Sequence, residues 1–316
     1  MVLIISVLLI VASLGLSVAG AISERSALSV LGELALDVFM SGDSYVSAEA
    51  TDKKIEKRRK KNAEYTVPSV YKNLYCSDVG TYENFEVCYF GEETERKIIY
   101  FHGGSFMWQP TALHFAYCKL LAKETSLQVI MPIYPKAPEY DYADVMEWLY
   151  GFVSTVSGAD AYIGDSAGGG LILSFSQYLY DRGAKLPEKA IAISPLLDAS
   201  LSNEKITEYE ALDPMLNRAD LARKLACYVS DGDLTNPYVS PIYCDYSVMG
   251  EITVITGTHD ILYPDCELLH EKLLSSGIEH NYYKFENQNH VFPIYPMPER
   301  TVCLEIVKNI INGRNG

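Results

Sequence analysis

The chain lacks several features whose absence narrows what it can be. Its seven cysteines (76, 88, 118, 227, 244, 266 and 303) form no C-x-x-C pair and have no regular spacing. An odd, unpatterned set suits reduced thiols better than a disulfide framework, and it offers no zinc spacing. No redox chemistry, metal or cofactor is therefore expected. Basic residues are scarce: 26 Lys and Arg face 41 Asp and Glu, for a formal net charge of −15. Seven of the 26 lie in residues 53–61, leaving 19 basic against 40 acidic side chains elsewhere. So acidic a surface repels phosphate backbones, which excludes nucleic acid as a partner. There is no internal repeat or low-complexity tract. The basic run itself reads most simply as a solvated helix face, with anionic-lipid binding as the alternative.

Residues 1–22 have no charged side chain at all and are dominated by Leu, Ile and Val. About 20 such residues span a bilayer as a helix. A secretory signal normally carries a positive n-region, which is missing here, although Ser17-Val18-Ala19 resembles a cleavage site. The expectation is an uncleaved membrane anchor, with export after cleavage as the alternative. Arg25 and the 53–61 run lie on its C-terminal side, which leans the remainder toward the cytoplasm.

What is present is a large, foldable domain. With 48% hydrophobic residues and 24 Tyr, the chain can bury a substantial core. Residues 23–66 read as a helical cap or linker region, with Leu28, Leu31, Leu34 and Val38 at helical spacing. From about residue 67 the pattern changes to strands alternating with helices of 10–15 residues. Buried strands fall at 97–101, 127–133, 161–163, 190–193, 252–256 and 281–285, and helices at 113–125, 142–153, 167–181, 266–275 and from 299. Such alternation predicts an α/β fold whose mostly parallel sheet has helices on both faces. Residues 198–245 break the rhythm, and a long insertion of this kind often forms a lid.

The chemistry centres on Gly164-Asp165-Ser166-Ala167-Gly168, a G-x-S-x-G motif between a strand and a helix. The three-residue pattern alone arises by chance in roughly one chain in ten of this length. Its strand–turn–helix context makes Ser166 a candidate nucleophile. Gly168-Gly169-Gly170 matches no phosphate-loop pattern. A nucleophilic serine needs a base, and the base needs an orienting carboxylate. Among the histidines that follow Ser166, His270 lies in a helix, His280 begins a strand, and His290 lies in a loop after a strand. His290 is therefore the preferred base. Asp260 follows the 252–256 strand by four residues and is the preferred acid; Asp265, in the next helix's first turn, is its rival. Gly103 and Gly104, at the end of a strand, and Ala167, directly after the nucleophile, are the candidate oxyanion donors. Ser105, Phe106, Met107 and Trp108 follow the glycines immediately, so this bulk is expected to fill an acyl tunnel and favour short acyl groups.

Five segments together carry a family resemblance: His102-Gly103-Gly104-Ser105-Phe106, Tyr134…Ala137-Pro138-Glu139, Gly164 through Gly169, Gly257…Asp260…Leu262 and His290-Val291-Phe292. In this order, over residues 70–300, the chain resembles the hormone-sensitive-lipase-like branch of the α/β-hydrolases. The resemblance implies carboxylesterase activity on short or medium acyl esters, no cofactor, and a cap built from the N-terminal helices and the 198–245 insertion. It also implies a Ser166–His290–Asp260 triad with Gly103, Gly104 and Ala167 as the oxyanion hole. Peptidase or amidase activity on the same triad and a non-catalytic binding pocket are the alternative functions. Many members of the branch carry a third glycine where this chain has Ser105.

Overall fold

Strands such as Lys97-Ile98-Ile99-Tyr100-Phe101, buried at every position, must be covered on both faces of their sheet. The computed structural model of the protein, which describes residues 25–40 and 47–313, shows that arrangement. The strands are β1 (Asp78–Tyr82), β2 (Phe85–Phe90), β3 (Lys97–Phe101), β4 (Gln128–Pro132), β5 (Ala159–Asp165), β6 (Lys189–Ile193), β7 (Glu251–His259) and β8 (His280–Asn289). They form one sheet in the order β1-β2-β4-β3-β5-β6-β7-β8. The hairpin β1–β2 and the β2–β4 pairing are antiparallel, and every pairing from β4 through β8 is parallel. One apolar cluster lies on each face of the sheet.

The helices are α1 (Ala27–Met40), α2 (Ala48–Ala63), α3 (Ser69–Tyr75), α4 (Ala112–Thr125), α5 (Tyr142–Ser154), α6 (Ala167–Asp181), α7 (Ile206–Tyr209), α8 (Arg218–Tyr228), α9 (Tyr263–Ser275) and α10 (Pro298–Ile311). The N-cap Ser47 of α2 accepts from Ala50 N–H at 3.1 Å, and the N-cap Asn217 of α8 accepts from Asp220 N–H at 3.1 Å. These two helices lie together on one side of the sheet's carboxyl edge. Thr51 Oγ1 donates to Asp220 at 3.1 Å, Arg223 pairs with Asp52, and Ile55 is buried. The inserted chain between β6 and β7 thus meets the N-terminal helices over the site. Residues 1–22 lie outside the described residues, and no described helix is long and apolar enough to cross a membrane.

Two strands are longer than their apolar pattern indicates. β7 continues through Gly257-Thr258-His259 and β8 through Glu286-Asn287-Gln288-Asn289, with a register shift between Gly257 and His259 before His259 pairs with Asn289. Asp260 and His290 are therefore the first residues beyond two neighbouring parallel strands.

Candidate active site

Ser166 sits between β5 and α6 with φ 54° and ψ −124°, a backbone conformation that costs an L-residue energy and aims its side chain off the end of the strand. The turn closes only because its flanks are glycine. A Cβ on Gly164 would meet Gly168 O at 2.4 Å, and one on Gly168 would meet Phe101 O at 1.9 Å. The Ser166 N–H donates to Ile193 O at 2.8 Å, fixing the turn to β6.

His290 Nε2 lies 2.9 Å from Ser166 Oγ, and His290 Nδ1 lies 2.8 Å from Asp260 Oδ2. A carboxylate only accepts, so Nδ1 carries the proton and Nε2 is left to accept from the serine hydroxyl. Asp260 is fully buried, and its other oxygen accepts from Leu262 N–H at 2.8 Å. Burial alone would depress the His290 pKa, but the charge and hydrogen bond of Asp260, with a further contribution from Asp213, hold it above its usual value. The ring is held from behind as well: Val291 N–H donates to Ser194 Oγ at 3.1 Å, and Asn289 Nδ2 donates to His290 O at 2.9 Å. Of the competing residues, His270 and His280 bond to each other at 2.7 Å, and Asp265 accepts from Asn203 at 2.8 Å; none of the three bonds to Ser166 or His290.

Gly104 and Ala167 fit a donor role, whereas Gly103 requires a correction. The Gly103 N–H points to the buried carboxylate of Asp165 at 3.1 Å, so it is already committed and does not face the serine. Gly104, at φ 118°, and Ala167, in the first turn of α6, keep N–H groups with no protein partner among the described residues. The same Asp165 carboxylate accepts from Tyr100 OH at 2.6 Å and from His114 Nε2 at 3.3 Å. Thr111 N–H donates to His114 Nδ1 at 3.0 Å, which sets the tautomer that gives its Nε2 proton to Asp165. Burial would raise the Asp165 pKa, but His114, Tyr100 and Gly103 together hold it below the ordinary carboxylate value. The variable x of the G-x-S-x-G motif is thus the tie between the nucleophile turn and the glycine loop.

That loop has two further anchors. Tyr134 OH donates to His102 O at 2.7 Å, and Ala137 N–H donates to Phe106 O at 2.9 Å. This accounts for the Tyr134…Ala137-Pro138 segment, whose Ala137–Pro138 bond is cis. His102 turns its Nδ1 proton to Gly103 O at 2.7 Å, and burial keeps its pKa well below the usual value. It is a structural residue of the loop. Ser105 and Phe106, at φ 52° and 57°, both take the left-handed conformation that glycine would take without strain.

The cavity over Ser166 has a volume of about 420 Å³. Its apolar wall includes Trp108, Leu113, Met215, Leu216, Ile294 and Tyr295. Of the bulky run after the glycines, Trp108 lines it, while Phe106 stacks on Tyr228 at 3.7 Å and Met107 is buried in the core. The expectation that Phe106 and Met107 narrow the acyl space is therefore incorrect; the loop's left-handed turn carries them inward.

Asp213 carries no motif or spacing that marks it in the sequence. It is a second carboxylate beside the Asp260–His290 pair, accepting from Ile261, Met215 and Leu216 N–H at 3.0, 2.8 and 2.9 Å. Burial, and then the nearby Asp260 charge, push its pKa up to about 7. Among the described residues, no group of three or more His, Cys, Asp or Glu side chains could hold a metal ion.

A family model described as the alpha/beta hydrolase fold matches residues 98–294. An acetyl-hydrolase of Streptomyces hygroscopicus is 25% identical over 229 residues, 70% of this chain and 77% of that protein. An esterase of Acinetobacter venetianus is 30% identical over 192 residues, 58% of this chain and 62% of that protein. A solved candidate esterase from Staphylococcus aureus is similar at TM-score 0.81 and 25% identity, covering 85% of this chain and 94% of that one. A hormone-sensitive lipase from a metagenome library has the same fold at TM-score 0.74 and 21% identity, covering 90% and 98%. The chain belongs to the α/β-hydrolase family, in its hormone-sensitive-lipase-like esterase branch. Its enzyme class is carboxylic ester hydrolase.

Proposed function

We propose that the protein hydrolyses short- to medium-chain acyl esters through Ser166, His290 and Asp260. The observation that carries this reading is the continuous pair of contacts from Ser166 Oγ to His290 Nε2 (2.9 Å) and from His290 Nδ1 to Asp260 (2.8 Å). In the proposed reaction, His290 takes the Ser166 proton as Oγ attacks the ester carbonyl, and Asp260 steadies the imidazolium. The N–H groups of Gly104 and Ala167 stabilise the oxyanion. His290 then protonates the departing alcohol, leaving an acyl-enzyme. Water, activated by the same histidine, attacks the acyl carbon and returns Ser166 with release of the acid. Relatives that include an acetyl-hydrolase support short acyl groups. So does the size of the cavity, near the small end of ligand sites. Hydrolysis rates over aryl esters of graded acyl length, for the wild type and Ser166→Ala, test the reading. Activity should peak at short chains and vanish in the variant.

The proposal extends to residues 1–22 as a membrane anchor, supported by their uninterrupted lack of charge.

A further inference from the structure

Helix α2 faces inward with positions 51, 54, 55, 58 and 62. Thr51 bonds to Asp220, Ile55 is buried, Asn62 Nδ2 donates to Met107 O at 2.9 Å, and Lys54 lines the cavity over Ser166. Arg58, on the same stripe, lays its guanidinium over the Trp108 ring, 3.5 Å from its centroid. A packed helix face ordinarily carries apolar residues at such positions. Here two of the five are cations.

Trp108 is part of the cavity wall, and a second cation approaches it: Lys224 Nζ, from α8, lies 5.4 Å from the ring centroid. Lys224 also pairs with Asp220, and both line the cavity. Arg58 is only part-exposed, yet no carboxylate offsets its burial among the described residues. A half-buried guanidinium is ordinarily paired, because partial desolvation costs free energy that an opposite charge offsets. The only other acidic side chain lining the cavity, Asp165, is already occupied by Tyr100, Gly103 and His114. A protein of net charge −15 repels anions over most of its surface. It nonetheless sets two cations, Lys54 and Lys224, in the wall of the cavity over Ser166 and a third, Arg58, against that wall's Trp108. Of the 53–61 run, Lys54 and Arg58 therefore turn from the solvated face on which its other five basic residues stay exposed.

We propose that the preferred ester carries an anionic group, a carboxylate or a phosphate, at the end that lies beside Trp108, where Arg58 and Lys224 bind it. This rests on the esterase reading, and deepens it to a substrate class. The test compares kcat/KM within matched pairs on the full-length protein. One pair is an aryl butanoate and the aryl monoester of succinate, which ends in a carboxylate. The other is a short-chain phospholipid with an anionic headgroup and its zwitterionic counterpart. In wild type, at least one pair should favour the anionic member by about fivefold or more. Whichever pair does so identifies the source of the anion. Arg58→Gln, and Arg58→Gln combined with Lys224→Gln, should lower that ratio stepwise. Should a variant fail to fold, the wild-type ratio measured against salt replaces it, and should shrink as added salt screens the contact. If the neutral esters turn over but neither pair favours the anion, or the ratio ignores both charge removal and salt, this inference is wrong while the esterase reading stands. If no ester turns over, the esterase reading fails first.

Discussion

At the scale of single residues, the site depends on which N–H and carboxylate each group already serves. Ser166→Ala and His290→Ala should each lower kcat by at least about a thousandfold, because the two act as a unit. Asp260→Asn should cost less than either, and steady-state rates on an activated ester check the order. Asp213 makes a separate prediction. Its charge helps to raise the His290 pKa, and in the proposed mechanism His290 works as a base only when neutral. Activity is therefore lost as pH falls through that raised value, which lies above the ordinary 6.5. Asp213→Asn removes negative charge, disfavours the imidazolium, and should move the acid limb of the kcat/KM profile to lower pH. An unmoved limb, or one moved upward, would contradict this role. Motif order and strand ends single out Ser166, Asp260 and His290 in the sequence, and the structure sets the three in hydrogen-bond contact. Asp213 escapes such reading because nothing in a local pattern reveals that an insertion folds back beside Asp260 and His290. Sequence reading also assigns Gly103 a donor role that only the position of Asp165, invisible in one dimension, denies it.

At the scale of elements, the parallel core was legible because β3, β4, β5 and β6 each centre on a buried apolar run. The ends of β7 and β8 were not, since Thr258, Asn287 and Gln288 are polar and make their bonds inside the protein. Asn287 N–H donates to Thr258 Oγ1 at 2.7 Å. The β1–β2 hairpin begins with Asp78-Val79-Gly80, too short and too polar to register as a strand. Helix α1 has a role that its periodicity did not disclose. Arg25 pairs with Glu33 and bonds to Asn287 O, and Ser29 Oγ donates to buried Gln288 at 2.8 Å. Glu33 accepts from His259 at 2.8 Å. The helix thus grips the residues just before Asp260 and His290. Ser29→Ala leaves the Gln288 oxygen unsatisfied and should lower unfolding stability by about 1–3 kcal/mol. A chain beginning near Ser47 should lose about tenfold or more in kcat/KM, whereas one beginning at Ser23 keeps its activity. Equal activity of the two truncated chains would show that α1 does not position the triad.

At the scale of the whole molecule, the two layers of helix around one sheet leave a single carboxyl edge, and β5, β7 and β8 all deliver their functional residues there. Shifting β5, β7 or β8 by one residue would carry its own site residue away from the other two, so fold and site stand or fall as one. In the proposed reading, α2 and α8, which contribute Lys54, Asp220 and Lys224 to the cavity wall, form the cap that sets what reaches Ser166. Rates should fall for acyl groups beyond about eight carbons, since overpacking a filled cavity costs roughly 1–3 kcal/mol against about 0.8 gained per methylene. A profile still rising at twelve carbons would refute that limit. Residues 1–22 should hold the full-length chain in the membrane fraction, and their removal should release it; a soluble full-length chain with those residues retained would exclude an anchor.

Whether Ser166 is the nucleophile is decided by mass spectrometry of the enzyme quenched during turnover of an activated short-chain ester. One acyl adduct is expected, on the peptide containing Ser166, formed in a pre-steady-state burst and absent from Ser166→Ala. Turnover with no adduct on Ser166, or an adduct on another residue that persists in the variant, would contradict that role.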